Sequence, residues 1–237
     1  MYGVSTHCLF DKPLETALYI LSDITDTVEI MNDGLHFIDS PEIPECFSFD
    51  YYFHAPSRGV NIASHLEPIR KASVEVVRNC MSTASEIDAG GVVVHPGYFG
   101  WISDKDVGIF QLQKSLIELK KISDEYSVPF FIENMPKWDY FFLQTTEDLP
   151  LITDFMFALD TGHAFMNNCL DEFLKTEISH FHLHDNDGKS DSHMAVGDGM
   201  IDFAPVIKAL SKNKGFPIIE VATLDGVKRS ISALNKL

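Results

Sequence analysis

Arginine is scarce in this sequence. Only Arg58, Arg70, Arg78 and Arg229 occur in 237 residues, and all basic side chains number 18 against 35 acidic ones, a net charge of −17. So acidic a chain is a poor non-specific ligand for nucleic acid, because that affinity comes from Lys and Arg displacing counterions from phosphates. An anionic membrane surface is disfavoured for the same reason. Cysteine is sparse too. Cys8, Cys46, Cys80 and Cys169 are scattered and form no C-x-x-C pair, which excludes a zinc ribbon, a dithiol redox motif and a dense disulfide framework. A reducing cytoplasm is the simplest expectation. No apolar run approaches the length of a membrane-spanning helix. Met1 to Phe10 has neither a basic start nor a long apolar centre, so no secretory leader is read there. No Gly-rich phosphate loop follows an early strand, which argues against an open doubly wound dinucleotide fold. No low-complexity linker or long charge run divides the chain, and a single domain over 1–237 is expected.

What is present is a regular alternation. Runs rich in Val, Ile and Phe read as buried strands at Tyr2–Cys8, Thr27–Met31, Phe47–His54, Gly91–His95, Pro129–Glu133, Phe155–Asp160, Ile178–His184 and Pro217–Val221. Amphipathic stretches lie between them, at Leu14–Ser22, Ile62–Ala89, Val107–Tyr126, Phe203–Leu210 and Val227–Leu237. The connections at Ser40–Glu45 and Thr145–Leu149 are short and poorly helical. Strand then helix, eight times over, predicts an α/β fold: a parallel sheet closed into a single (β/α)8 TIM barrel.

The informative residues sit where these strands end. They are His54 in Y-F-H-A-P, His95 in V-V-V-H-P-G, Glu133 in F-F-I-E-N-M-P, Asp160 and His163 in A-L-D-T-G-H-A, His182 in H-F-H-L-H-D and Glu220 in P-I-I-E-V. Asp191 and His193 follow in the loop K-S-D-S-H-M. An ionisable group at the end of an apolar strand is costly unless it is paired or bound to a metal. In a parallel barrel the C-terminal strand ends converge on one face. One such histidine would be ordinary scaffold; nine converging groups predict a metal centre. Five imidazoles and four carboxylates suit Zn²⁺, Mn²⁺ or Fe²⁺ better than Mg²⁺ or Ca²⁺. His180 and His184 share the strand parity of His182. His180 is expected deeper and structural, and His184 near substrate or behind a ligand.

Taken together, H-P-G, D-T-G-H-A and the D-N-D-G…H…G-D-G-M-I-D-F block resemble the xylose isomerase-like TIM-barrel superfamily over nearly the whole chain. That superfamily contains sugar isomerases and epimerases as well as endonuclease IV-like DNA-repair enzymes. The resemblance to the isomerase branch implies Glu133, Asp160, His182 and Glu220 as ligands of one divalent metal, with Glu133 and Glu220 also moving the proton. The resemblance to the endonuclease branch implies nine ligands for three zinc ions: His54, His95, Glu133, Asp160, His163, His182, Asp191, His193 and Glu220.

The expected function is therefore a divalent-metal-dependent isomerase or epimerase (Zn or Mn, one to three ions) of a small sugar, sugar phosphate or polyol ketone. Arg58, Trp101, His184 and Lys189 are its candidate substrate contacts, and His54 and His95 could bind substrate oxygens. Lys137 is a further candidate for a phosphate, and Tyr98 and Phe99 for the pocket wall. The alternative is an endonuclease IV-like zinc phosphodiesterase acting on abasic DNA, against which the acidic charge weighs. A homo-oligomer is compatible with either.

Overall fold

The computed structural model describes residues 2–213 and 215–237. Strands β1 (Gly3–Ser5), β2 (Thr27–Met31), β3 (Asp50–His54), β4 (Val92–Val94), β5 (Phe130–Glu133), β6 (Met156–Asp160), β7 (His180–Leu183) and β8 (Phe216–Ile219) pair in chain order, all parallel. β8 returns to β1 to close the (β/α)8 barrel. Each lies within, or one residue beyond, a strand read from the sequence.

Helices α1 (Leu14–Leu21), α2 (Glu67–Glu86), α3 (Lys105–Tyr126), α4 (Thr161–Met166), α5 (Leu170–Phe173), α6 (Ala204–Leu210) and α7 (Leu224–Leu234) lie in the connections. The second and fifth connections hold only 3-10 turns, Gly34–His36 and Pro44–Cys46 in the second and Thr146–Ile152 in the fifth. The hydrophobic pattern predicted α2 from Ile62, but it begins at Glu67. The Asn61 side chain instead takes the Ala63 N–H in a local turn, and Pro68 sits in the first helical turn, a position where its missing N–H costs nothing. α4 and α5 were not expected; the Asp160 carboxylate caps the first of them by accepting the His163 N–H at 2.7 Å. None of the described helices is long and apolar enough to cross a membrane.

Strand alternation decides which side chains meet inside. Val28, Ile30, Phe53, Val92, Val94, Ile132, Leu159, Phe181, Leu183 and Ile219 belong to the main buried cluster between sheet and helices, with Leu18, Leu112, Leu116 and Leu119 from the helices. Each such fully buried aliphatic side chain contributes roughly 1.5–3 kcal/mol of transfer free energy. The intervening residues point into the barrel. Val93, Phe131 and Ala158 form a small separate cluster there with Tyr52, and the His180 ring stacks on Phe131 with centroids 5.0 Å apart. The same parity, one step further along each strand, places His54, Glu133, Asp160, His182 and Glu220 above this floor.

Candidate metal centre

The ionisable groups at the C-terminal mouth of the barrel include three contiguous clusters that hold the candidates from the sequence: His54, His95 and Glu133; Glu133, Asp160, His182 and Glu220; and His163, His184, Asp191 and His193. All nine ligand candidates from the sequence are brought together. Glu133 belongs to two clusters. Its Oε1 lies 2.8 Å from His182 Nδ1, and its Oε2 lies 2.9 Å from His95 Nε2 and 3.3 Å from His54 Nε2. Glu220 Oε2 reaches the same His182 Nδ1 at 2.8 Å.

Three of the imidazoles are oriented by backbone. His54 Nδ1 is 2.8 Å from Ala55 O, His163 Nδ1 is 2.8 Å from Asn134 O, and His193 Nδ1 is 2.8 Å from Glu220 O. A ring that donates through Nδ1 turns its Nε2 lone pair inward, the tautomer a metal ligand needs. His193 also holds a left-handed backbone at φ 43°, a strained conformation of the kind found where a side chain must be aimed. Its loop is tied down by Asp185, whose carboxylate accepts the N–H groups of Gly197, Gly199 and Ile201, each at 3.0 Å. A Cβ on Gly199 would stand 2.3 Å from Asp185 Oδ1, and one on Gly162 would stand 2.0 Å from His184 Cε1. These two close approaches explain the second glycine of G-D-G and the glycine of D-T-G-H-A, while Gly197 has a φ of 90°.

The electrostatics follow from burial and pairing. Burial pushes His54 and His193 down, yet the facing Glu133 and Asp191 outweigh it and lift both imidazoles to about 9. His163 and His182 are likewise carried well above their ordinary value, against burial, by Asp160 and Asp191 in one case and Glu29 and Glu220 in the other. Burial would raise Glu133 and Glu220, but His182 holds both well below the usual carboxylate range. His95 moves the other way: burial lowers it.

This donor set fits a divalent cation. Inward imidazole nitrogens face carboxylate oxygens, and Asp160 Oδ2 and Asp191 Oδ1 are buried without a hydrogen bond, although His193 Nε2 lies 3.4 Å from the latter. An unmet buried carboxylate oxygen is expensive unless a cation satisfies it. Metal and proton should therefore compete. In metal-free protein His54 and His193 hold protons at neutral pH, so zinc binding should release protons. Its apparent affinity should rise with pH up to about 9, the metal-free value of both imidazoles, and then level off. Calorimetry in buffers of different ionisation enthalpy measures this. The raised pKa values also stabilise the metal-free fold fully below pH 6.5, and that stabilisation fades as the pH passes about 9, so its melting temperature should fall across the same window.

Two residues that sequence reasoning did not single out complete the site. Glu29, on β2, is fully buried under it. Its Oε1 is 2.8 Å from His182 Nε2 and its Oε2 is 2.7 Å from His180 Nε2. Burial opposes ionisation, but His182 and His180 bring the Glu29 carboxyl down to about 2. Glu29 is hydrogen-bonded to His180 and lies in ion-pair contact with His182, and a carboxylate behind one imidazole nitrogen while the other faces the ligand cluster is the usual support of a metal-binding histidine. The signal was an acid between Val28 and Ile30 in T-V-E-I-M. His7, just past β1, closes a group with His193 and Glu220, and burial lowers it to about 4.

A cavity of about 380 Å³ opens above the clusters. Arg58, Tyr98, Trp138 and Phe141 line it beside His54, His95, Glu133, His163, Asp191, His193 and Glu220. The wall is braced where Tyr98 bridges Phe141 and where Asn61 holds the Tyr98 backbone at 2.9 and 3.1 Å. The remaining sequence candidates fall elsewhere. Trp101 is 72% exposed and outside the lining. Lys137 and Lys189 are exposed and outside it too. Phe99 is buried against Phe142. His184 is fully buried, 2.9 Å from Asp160 Oδ1 and stacked 4.0 Å from His193, so it orients ligands from behind.

A family model described as xylose isomerase-like TIM barrel matches residues 45–237. An uncharacterised protein of Methanocaldococcus jannaschii is 36% identical over 228 residues, covering 92% of this chain and 91% of that protein. A probable endonuclease 4 of Mycobacterium leprae is 29% identical over 203 residues, covering 78% of this chain and 77% of the relative. Among solved structures, a D-tagatose 3-epimerase-like protein superposes with a TM-score of 0.91 at 28% identity, over 99% of this chain and 96% of that one.

Proposed function

The chain belongs to the xylose isomerase-like TIM-barrel family, and from that premise we propose that it is a divalent-metal-dependent isomerase or epimerase of a small polyhydroxylated ketone. One observation carries the reading: Glu133 and Glu220 reach from β5 and β8 to the same point, each 2.8 Å from His182 Nδ1 and both held ionised. Two anionic carboxylates converging on one locus can take a proton from one side of a substrate carbon and return it on another. A divalent ion held by Glu133, Asp160, His182 and Glu220 supplies Lewis-acid polarisation of a carbonyl and a neighbouring hydroxyl, which makes the adjacent C–H acidic. His54 and His95 stand beside Glu133 where substrate oxygens would lie, and Tyr98, Trp138 and Phe141 offer apolar faces for the sugar. The size of the cavity suits a small molecule, and the likeness to the epimerase-like structure supports the same reading.

The experiment is incubation of metal-loaded protein with ketopentoses and ketohexoses, free and phosphorylated, in D₂O. Mass spectrometry should show one deuterium gained next to the carbonyl. His182→Ala should lower the bound metal measured by elemental analysis; unchanged metal would contradict its place among the ligands.

A second reading is favoured by a specific feature. Glu133 Oε2 faces His54 and His95, and the Asp191 and His193 cluster adds donors beyond those one ion needs. That surplus suits several ions and hydrolysis of a phosphodiester. Metal-dependent cleavage of abasic duplex, abolished by chelation, without deuterium exchange on any ketose would replace the first reading with this one.

A further inference from the structure

Every arginine in this acidic protein but one is neutralised by carboxylates. Arg70 is paired with Glu67 and Glu118, Arg78 with Glu75 and Glu125, and Arg229 with Asp198 and Asp225. Among the described residues Arg58 has no carboxylate within ion-pair distance, and it is the one arginine that lines the cavity over the metal-ligand cluster.

Its position is built. The guanidinium sits on the face of Phe10, with Cζ 4.8 Å from the ring centroid. Asp33 Oδ2 fixes the preceding backbone by accepting from Ser57 N, Ser57 Oγ and Arg58 N at 2.7, 2.9 and 3.2 Å. Those bonds all fall on one Asp33 oxygen and fix the turn, and Asp33 forms no ion pair with the guanidinium. A guanidinium seated on an aromatic face keeps its N–H edge available, and that edge matches an oxyanion in a bidentate fork. The other ionisable groups of the cavity are carboxylates and imidazoles, and neither lysine considered from the sequence lines it.

We propose that Arg58 is an anion-recognition residue and that the substrate is a polyhydroxylated compound bearing one oxyanion, a phosphate or a carboxylate. The anion would be held at the Phe10 side of the mouth while the polyol end meets Glu133 and Glu220. This inference rests on the ketone-isomerase reading for the polyol half of the ligand only. An unpaired cation at the entrance to an otherwise acidic cup attracts an anionic substrate that the rest of the surface repels, and it selects against neutral sugars.

The test is equilibrium binding by calorimetry on the metal-loaded protein, with no turnover read. The probes are inorganic phosphate, a ketopentose, its 5-phosphate and the corresponding sugar acid. Wild type should bind the phosphate or the acid at least tenfold more tightly than the neutral ketopentose, and the preferred arm identifies the anion. Arg58→Ala should erase that preference with an unchanged melting temperature. Arg58→Lys should keep part of it, and Phe10→Leu should weaken it by loosening the seat. Equal binding of neutral and charged probes by wild type, or a preference that survives in Arg58→Ala, overturns the assignment. Since only binding is measured, failure of the proton-exchange experiment leaves this result standing, and failure here leaves proton exchange untouched.

Discussion

Replacing Glu133 by Gln should reduce solvent-deuterium incorporation by about 10²–10⁴-fold, the usual worth of a positioned acid–base group. The substitution disturbs three imidazoles at once. Glu133 joins the His54 and His95 side of the cup to the cluster around His182: one oxygen faces His182, the other His95 and His54. The amide keeps the shape, but one of the two positions becomes an N–H donor pointed at groups that themselves need an anion. Elemental analysis of the same variant separates the readings. If a single ion is bound, the stoichiometry falls by at most one. If the clusters hold several ions, Glu133→Gln should lower the count at the His54–His95 group and at the His182 cluster, whereas Glu220→Gln should affect the His182 cluster and the His7–His193 group and spare the one around His54 and His95. Full deuterium exchange in both variants would remove these carboxylates from the proton-transfer role.

The second large effect is expected at a residue that touches no substrate. Glu29→Gln should destabilise the fold by about 3–5 kcal/mol, the range for breaking a buried ion pair by removing one partner. It should also weaken zinc binding by about 10–100-fold, the range for losing the group that orients a metal-binding histidine. Both follow from Glu29 holding His180 and His182 at 2.7 and 2.8 Å in a fully buried layer. The pH dependence has a definite sign. The Glu29 carboxyl is lowered from 4.5 to about 2, so its stabilisation is complete above about pH 4.5 and is lost as the pH falls through about 2. Chemical denaturation at neutral pH and near pH 3 should show the difference between wild type and Glu29→Gln shrinking in acid. A variant with wild-type stability and zinc affinity would show that the His182 orientation is set without it.

Strand placement was legible because burial on both faces leaves an unbroken Val, Ile and Phe run, as in V-V-V-H-P-G. Six of the nine ligand candidates were legible because each interrupts or ends such a run; His163 stands just past one, and Asp191 and His193 lie in the loop after the seventh strand. Glu29 was overlooked for the converse reason: it lies in the middle of its strand, where only the in–out parity set by Val28 and Ile30 marks it. The rim was least legible. Aromatic and basic residues in loops look alike in sequence, yet Tyr98 and Trp138 line the cavity while Trp101 faces solvent and Phe99 is buried. Likewise Arg58 enters the cavity, but Lys189 stays outside it.

The order of strands and of the longer helices, and the set of imidazoles and carboxylates at the strand ends, were determined by the sequence alone, since both arise from local periodicity and from the cost of placing charge beside apolar runs. The tertiary structure decided which oxygen meets which nitrogen, that Glu133 is shared between clusters and that Arg58 is left without a partner. Those facts depend on barrel closure, which brings residues more than a hundred positions apart, such as Glu29 and His180, within 2.7 Å, a proximity no local pattern encodes.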